Sequence, residues 1–199
     1  EMLLAPMTVD AFRAPSSNEV GLGNRWAQAG LRELVQKATS ISEITTNADG
    51  SKSFVVVADV RGKQKERIVG FGGNNGKPCE IVPVGAVAQH DPHFVVAQKW
   101  TVFGDGNVAC QSEIRSRGRV MELARIGYRF TLDKELDRIC WFGAGPFENY
   151  PDRRSGAFTG WWSTGVDGMV ERYAKPQDMG MRCDTAWASL MGSSGMFML

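Results

Sequence analysis

Residues 94–114 read FVVAQKWTVFGDGNVACQSEI. Two runs rich in β-branched and aromatic residues flank Gly104-Asp105-Gly106-Asn107, which offers the residues that turn a hairpin cheaply. The stretch therefore predicts two successive antiparallel strands, 94–103 and 108–114. Outward from it, 54–60 (FVVVADV), 120–132 and 136–142 share this character, with Asp133-Lys134-Glu135 as another short connection. Helical signal is confined to residues 24–38. There Asn24 is placed to cap, and Trp26, Leu31, Leu34 and Val35 give a partial apolar stripe weakened by Gly30. Strands and helices do not alternate, which argues against a parallel sheet or an α/β barrel. The pattern predicts an all-β chain, an antiparallel β-sandwich with one short helix, as a single domain over residues 1–199.

Bulk properties narrow the partners. The 199 residues are 43% hydrophobic and 23% charged with a formal net charge of +1. That is enough for a sizeable core, but the charge provides no field that would draw nucleic acid or an anionic membrane. The densest basic run, Arg115-Ser-Arg-Gly-Arg119, reads as one solvated strand face. No apolar run reaches the roughly 18 residues of a membrane span. The chain begins at Glu1 with no visible signal peptide, as a trimmed piece of a longer protein would, and its compartment stays open. Cys79, Cys110, Cys140 and Cys183 form no C-x-x-C pair, so neither zinc nor redox chemistry is indicated. Cys110 and Cys140 read as buried free thiols.

Glu148 and Asp152 are the tempting acids, since glycosidases flank a sugar bond with two carboxylates. Both sit in one loop between Pro146 and Pro151. In such loops Asn149, Asp152 and Arg153 serve to satisfy backbone groups that an irregular path leaves unpaired. His90-Asp-Pro-His93 reads as a polar surface turn rather than a metal site. Trp161-Trp162, with Trp26, Trp100, Trp141 and Trp187, could stack sugars, but strand-like spacing favours packing. Gly21-Leu-Gly23 and Gly143-Ala-Gly145 lack the strand-turn-helix setting of a phosphate loop. The residues alone nominate no catalytic side chain and no metal ligand.

Trp141-Phe-Gly-Ala-Gly-Pro-Phe-Glu-Asn-Tyr-Pro-Asp-Arg-Arg154 resembles the WxGxGPxENYPDR signature of the C-terminal, small-chain domain of family-two β-galactosidases. In order along the chain, Arg13-Ala-Pro15 with Asn18 is similar to its RAPxDND start. Arg125-Ile-Gly-Tyr-Arg-Phe130 is similar to its PRIGxxF strand, and Tyr173-Ala-Lys-Pro-Gln-Asp-Met-Gly180 with Arg182 to its YxxPxENGxR segment. The resemblance implies a galactose-mutarotase-like supersandwich and, for the intact enzyme, hydrolysis of terminal β-D-galactosides with retention. It puts both catalytic glutamates on a separate α/β barrel, so the catalytic barrel domain or large subunit and a galactoside become partners, and a homo-oligomer is expected. It asks for no cofactor in this chain, while leaving room for divalent and monovalent cations in the intact enzyme.

Arg13, Glu148, Asn149, Tyr150, Asp152 and Arg153 are then residues of a structural motif. Asn18, Glu19 and Gly21 fall at the active-site rim, where Ser17 and Glu19 stand in place of the family's two aspartates. The family's domain also continues past the equivalent of Leu199, so the sandwich is expected to be incomplete, with the apolar run Met196-Phe-Met-Leu199 inviting association. The alternative is a free-standing carbohydrate-binding or sugar-isomerising sandwich.

Overall fold

The structure, a computed structural model, describes residues 3–16, 18–70, 79–174, 177–193 and 195–199. Ser17, Lys175 and Pro176 of the motifs above lie outside the described residues. In chain order the elements are β1 (Leu3–Asp10), α1 (Val20–Gln28), β2 (Leu34–Ile41), β3 (Thr45–Thr46), β4 (Lys52–Gly62), β5 (Lys65–Val69) and β6 (Glu80–Gly85). There follow β7 (His93–Val102), β8 (Val108–Arg117), β9 (Gly127–Leu132), β10 (Arg138–Gly145), β11 (Phe158–Gly165), β12 (Trp187–Gly192) and β13 (Gly195–Met198). The chain is all-β and mostly antiparallel, of the sandwich class, with α1 its one α-helix among the described residues.

The chain divides into two compact units: residues 1–7, 14–18 and 130–199, and residues 8–13 and 19–129. The second unit carries a sheet ordered β2-β4-β7-β8, with β3 beside β4, and the pair β5-β6. The first carries the sheet β11-β10-β12-β13.

The stretch 94–114 forms the expected hairpin, with Val102 opposite Val108. Its turn is closed by Phe103 N–H on the Asn107 carbonyl at 2.9 Å, and Gly106 takes φ +90°. Asp105 accepts from the Asn107 backbone and side chain at 2.9 and 2.8 Å. Alternation then sorts the faces. Phe94 and Val96 of β7 are buried opposite Val60 and Ala58 of β4. Together with Val9, Trp26 and Leu31 they build the core of this unit. Each such side chain contributes about 1.5–3 kcal/mol.

The helix differs from the reading over 24–38. It starts at Val20 and ends at Gln28. Gly30, at φ +82°, stops it: its own N–H bonds the Ala27 carbonyl and the Leu31 N–H bonds the Trp26 carbonyl, both at 3.0 Å. This double closure is the Schellman arrangement, which favours glycine at its left-handed position. Leu34 and Val35, placed in the stripe by sequence, open β2 instead. Asn24 is not the cap. It lies inside α1 and brackets Ile68 of β5, donating to its carbonyl at 3.1 Å and accepting from its N–H at 2.8 Å.

The run 120–132 becomes a strand only at Gly127. Before that, the Trp26 indole N–H takes the Glu122 carbonyl at 2.9 Å, while Met121, Leu123 and Ala124 pack on the core. The expected surface turn at 90–93 is mostly interior: Asp91, Pro92 and His93 are buried. Nor are Cys110 and Cys140 the buried thiols. Cys110 is exposed and Cys140 half-buried, whereas Cys183 is buried.

Two buried carboxylates anchor this unit. Glu66, 2% exposed, pairs with Arg32 and accepts from Gln64 at 2.9 Å. The Arg32 hydrogen bond holds its carboxyl below the ordinary range against the cost of burial. Asp91, also 2% exposed, meets Lys65 at 2.8 Å and the Ala88 N–H at 2.7 Å. Burial would push its carboxyl up, but these partners leave it lowered. A carboxyl depressed in the folded state stabilises above its unfolded pKa, about 4, and that stability is lost as pH falls through the folded value. The urea midpoint is therefore expected to hold from neutral pH to about pH 5 and to fall below it. Glu66→Gln should be less stable at neutral pH but show a shallower acid limb. An identical acid limb in the variant would remove Glu66 from this role.

Candidate functional site

The loop between β10 and β11, residues 146–157, carries the densest special chemistry, and all of its contacts described here lie within the first unit. Its approach is set by two glycines. A Cβ on Gly143 would sit 2.7 Å from the backbone of Asp184 and Thr185, and one on Gly145 would sit 2.6 Å from the Trp162 indole. Only glycine allows this closeness. The Trp162 and Trp141 indole N–H groups then cover the Gly143 and Ala144 carbonyls at 3.1 and 3.2 Å.

Asn149 follows, 1% exposed. Its backbone N–H donates to the Met181 carbonyl at 2.9 Å, and its side-chain oxygen accepts from the Cys183 N–H at 2.8 Å. Its side-chain nitrogen donates to the Ala144 and Phe147 carbonyls at 3.3 and 3.2 Å. One side-chain amide thus bonds three backbone groups.

Glu148, its side chain 7% exposed, accepts from Arg153 at 3.0 Å through one oxygen and from the Gly180 N–H at 2.8 Å through the other. Arg153 also donates to the Tyr173 hydroxyl at 2.9 Å. Its guanidinium lies 4.7 Å from the Tyr150 ring centroid and 5.8 Å from that of Tyr173. Such stacking is worth about 0.5–2 kcal/mol. The Tyr150 hydroxyl donates to Asp178 at 2.9 Å, and burial followed by that carboxylate pushes its pKa up. Arg182 lies 5.4 Å from the Trp141 ring centroid, and burial lowers its pKa.

Asp152 corrects the reading of the sequence. It occupies the exposed tip of the turn closed by Arg153 N–H on the Tyr150 carbonyl at 2.9 Å, and its side chain makes no hydrogen bond among the described residues. The backbone-accepting task expected of it falls to Glu148 and Asn149. Glu148 has both oxygens engaged, whereas Asp152 stands apart at the turn tip. Among the described residues no three His, Cys, Asp or Glu side chains gather as a metal site.

The other segments are placed separately. In the second unit Arg13 holds Glu19 through both nitrogens at 2.7 and 2.8 Å and lies 6.0 Å from the Trp26 ring centroid. Gly21 is exposed with open space around its Cβ position, and Asn18, in the first unit, is also exposed. His93 bonds the Asp91 carbonyl at 3.0 Å. Trp161, expected to pack, is 72% exposed, in a row with Phe142 and Trp187. The rings are inclined at 47° and 61° to their neighbours. Tyr173, Asp178, Gly180 and Cys183 were singled out by no single-residue argument. Tyr173, Asp178 and Gly180 fall in the segment that resembles YxxPxENGxR, with Cys183 just beyond it, and its role as the loop's partner needs three dimensions.

Asn149→Ala strands the Cys183 N–H in the interior and leaves the Ala144 carbonyl to the Trp141 indole alone, for an expected loss of about 1–3 kcal/mol. Asp152→Ala should stay within about 0.5 kcal/mol of the parent. Urea unfolding compares them, and equal losses would contradict the placement of Asp152.

A family model described as "Beta galactosidase small chain" matches residues 1–198. A β-galactosidase of Priestia megaterium is 31% identical over 98% of this chain and 16% of that protein. One from Pseudoalteromonas haloplanktis is 23% identical over 96% of this chain and 17% of that protein, and one from Vibrio cholerae 26% over 92% and 16%. The chain thus spans about a sixth of the length of these curated relatives.

Proposed function

The chain belongs to the β-galactosidase small-chain family, and from that premise we propose that it is the non-catalytic C-terminal domain of a β-galactosidase whose intact form hydrolyses terminal β-D-galactosides with retention. The observation that carries the non-catalytic part is the engagement of Glu148. Its carboxylate is held by Arg153 and the Gly180 N–H, and Asp152 stands apart at a turn tip. Neither is poised to give or take a proton at a sugar oxygen.

In this reading the two catalytic glutamates belong to a barrel domain or large subunit, and this chain supplies part of the wall around the galactoside. Asn18 and Gly21, both exposed, suit a place at the rim. The Glu19 carboxylate is already committed to Arg13, so it orders the rim segment rather than meeting substrate. The register puts Trp161, Met196 and Met198 on one face of the β11-β10-β12-β13 sheet, and all three are exposed. That face suits burial against the large-chain partner or a second copy, since exposed apolar surface costs about 25 cal/mol per Å².

The test is reconstitution. The isolated chain is expected to leave nitrophenyl β-galactoside uncleaved. Mixed with the separately produced remainder of its parent, it should restore hydrolysis. Turnover by the chain alone, abolished in Glu148→Gln, would overturn the proposal.

A further inference from the structure

In the second unit a surface cleft of about 650 Å³ lies between α1 and the segment that precedes β9. Both walls are fixed by backbone-directed bonds. The Trp26 indole N–H holds the Glu122 carbonyl at 2.9 Å, and the Arg119 N–H holds the His90 carbonyl at 2.8 Å. Arg25 reaches the cleft from the helix and Arg119 from the facing wall. Neither guanidinium has an ion pair or a side-chain hydrogen bond among the described residues. Arg115 in the same basic run, by contrast, is already neutralised by Glu113 at 2.7 Å. Leu22 and Met121, both half-buried, supply apolar surface, Trp26 closes the floor, and Glu122 is the one acid in the lining.

Two arginines against one glutamate leave the cleft with a formal surplus of one positive charge. A cavity of this size, mixing apolar surface with a few charged groups, is of the kind that takes small molecules. We propose that the cleft binds a small organic anion, a phosphate ester or carboxylate, whose charge lies between Arg25 and Arg119 and whose apolar body rests on Leu22 and Met121. Guanidinium groups match both anions through paired N–H donors. Glu122 opposes any further negative charge and so favours a compact headgroup. The proposal is independent of what the parent enzyme hydrolyses, because its residues are distinct from those of the loop at 146–157.

Phenyl phosphate and benzoate are the probes, titrated into the full chain by calorimetry, with amide shifts to locate them. At least one should bind with Kd of about 1 mM or tighter, shifting amides of α1 and residues 119–122, and the tighter of the two identifies the headgroup. Arg25→Met and Arg119→Met should each weaken binding about tenfold, and Arg172→Met should leave it unchanged. Glu122→Gln should tighten it, an effect that a merely structural role would not give. If a methionine variant fails to fold, the lysine variants at 25 and 119, which keep the charge, should retain measurable binding. No binding of either probe, an equal loss in Arg172→Met, or shifts mapping elsewhere would overturn the proposal.

Discussion

The side-chain amide of Asn149 is the interaction on which the first unit turns. A loop dense in glycine and proline cannot satisfy its own backbone by repetition, and buried N–H and C=O groups left alone cost about 1–3 kcal/mol each. Asn149 resolves this by imitating a short piece of strand: it donates to Ala144 and Phe147 and accepts from Cys183. Glu148 does the same for Gly180 with a charge, and Arg153 balances that charge between two tyrosine rings. Glu148 thereby ties the loop to the backbone at Gly180.

The second unit uses the same device with other residues. Asn24, inside its helix, brackets the Ile68 backbone as a neighbouring strand would. Glu66 and Asp91 are buried charges made tolerable by Arg32 and by Lys65 with the Ala88 N–H. Such pairs are weak arguments for net stability, because desolvation offsets much of their attraction. Removing one partner nevertheless leaves an uncompensated charge in the interior.

The β-branched and aromatic runs and the Gly-Asp-Gly-Asn turn made the β7–β8 hairpin legible, since both signals are local. The helix was legible in kind but not in extent. Leu31 and Leu34 do reach the core, yet they do so from a turn and a strand after Gly30 reverses the chain. The start of the run 120–132 looks strand-like because of Val120, Met121, Leu123 and Ile126, but the backbone at Arg119 and Glu122 is claimed by His90 and Trp26. The motif loop was legible as a scaffold, whereas the division of labour within it was not. Asp152 and Glu148 are equivalent in sequence, and only the turn at Tyr150–Arg153 sends one outward and the other in.

Amide hydrogen exchange at Gly180 and Cys183 tests the scaffold account most directly, because these two N–H groups are the ones the motif side chains hold. The account predicts that both exchange only through global unfolding, at the level of β10. Glu148→Ala should free Gly180 selectively, Asn149→Ala should free Cys183, and added galactose should change neither. Exchange of both amides as fast as that of the exposed Asp152 turn, slowed only when galactose is present, would show the loop to be a ligand site and contradict the account.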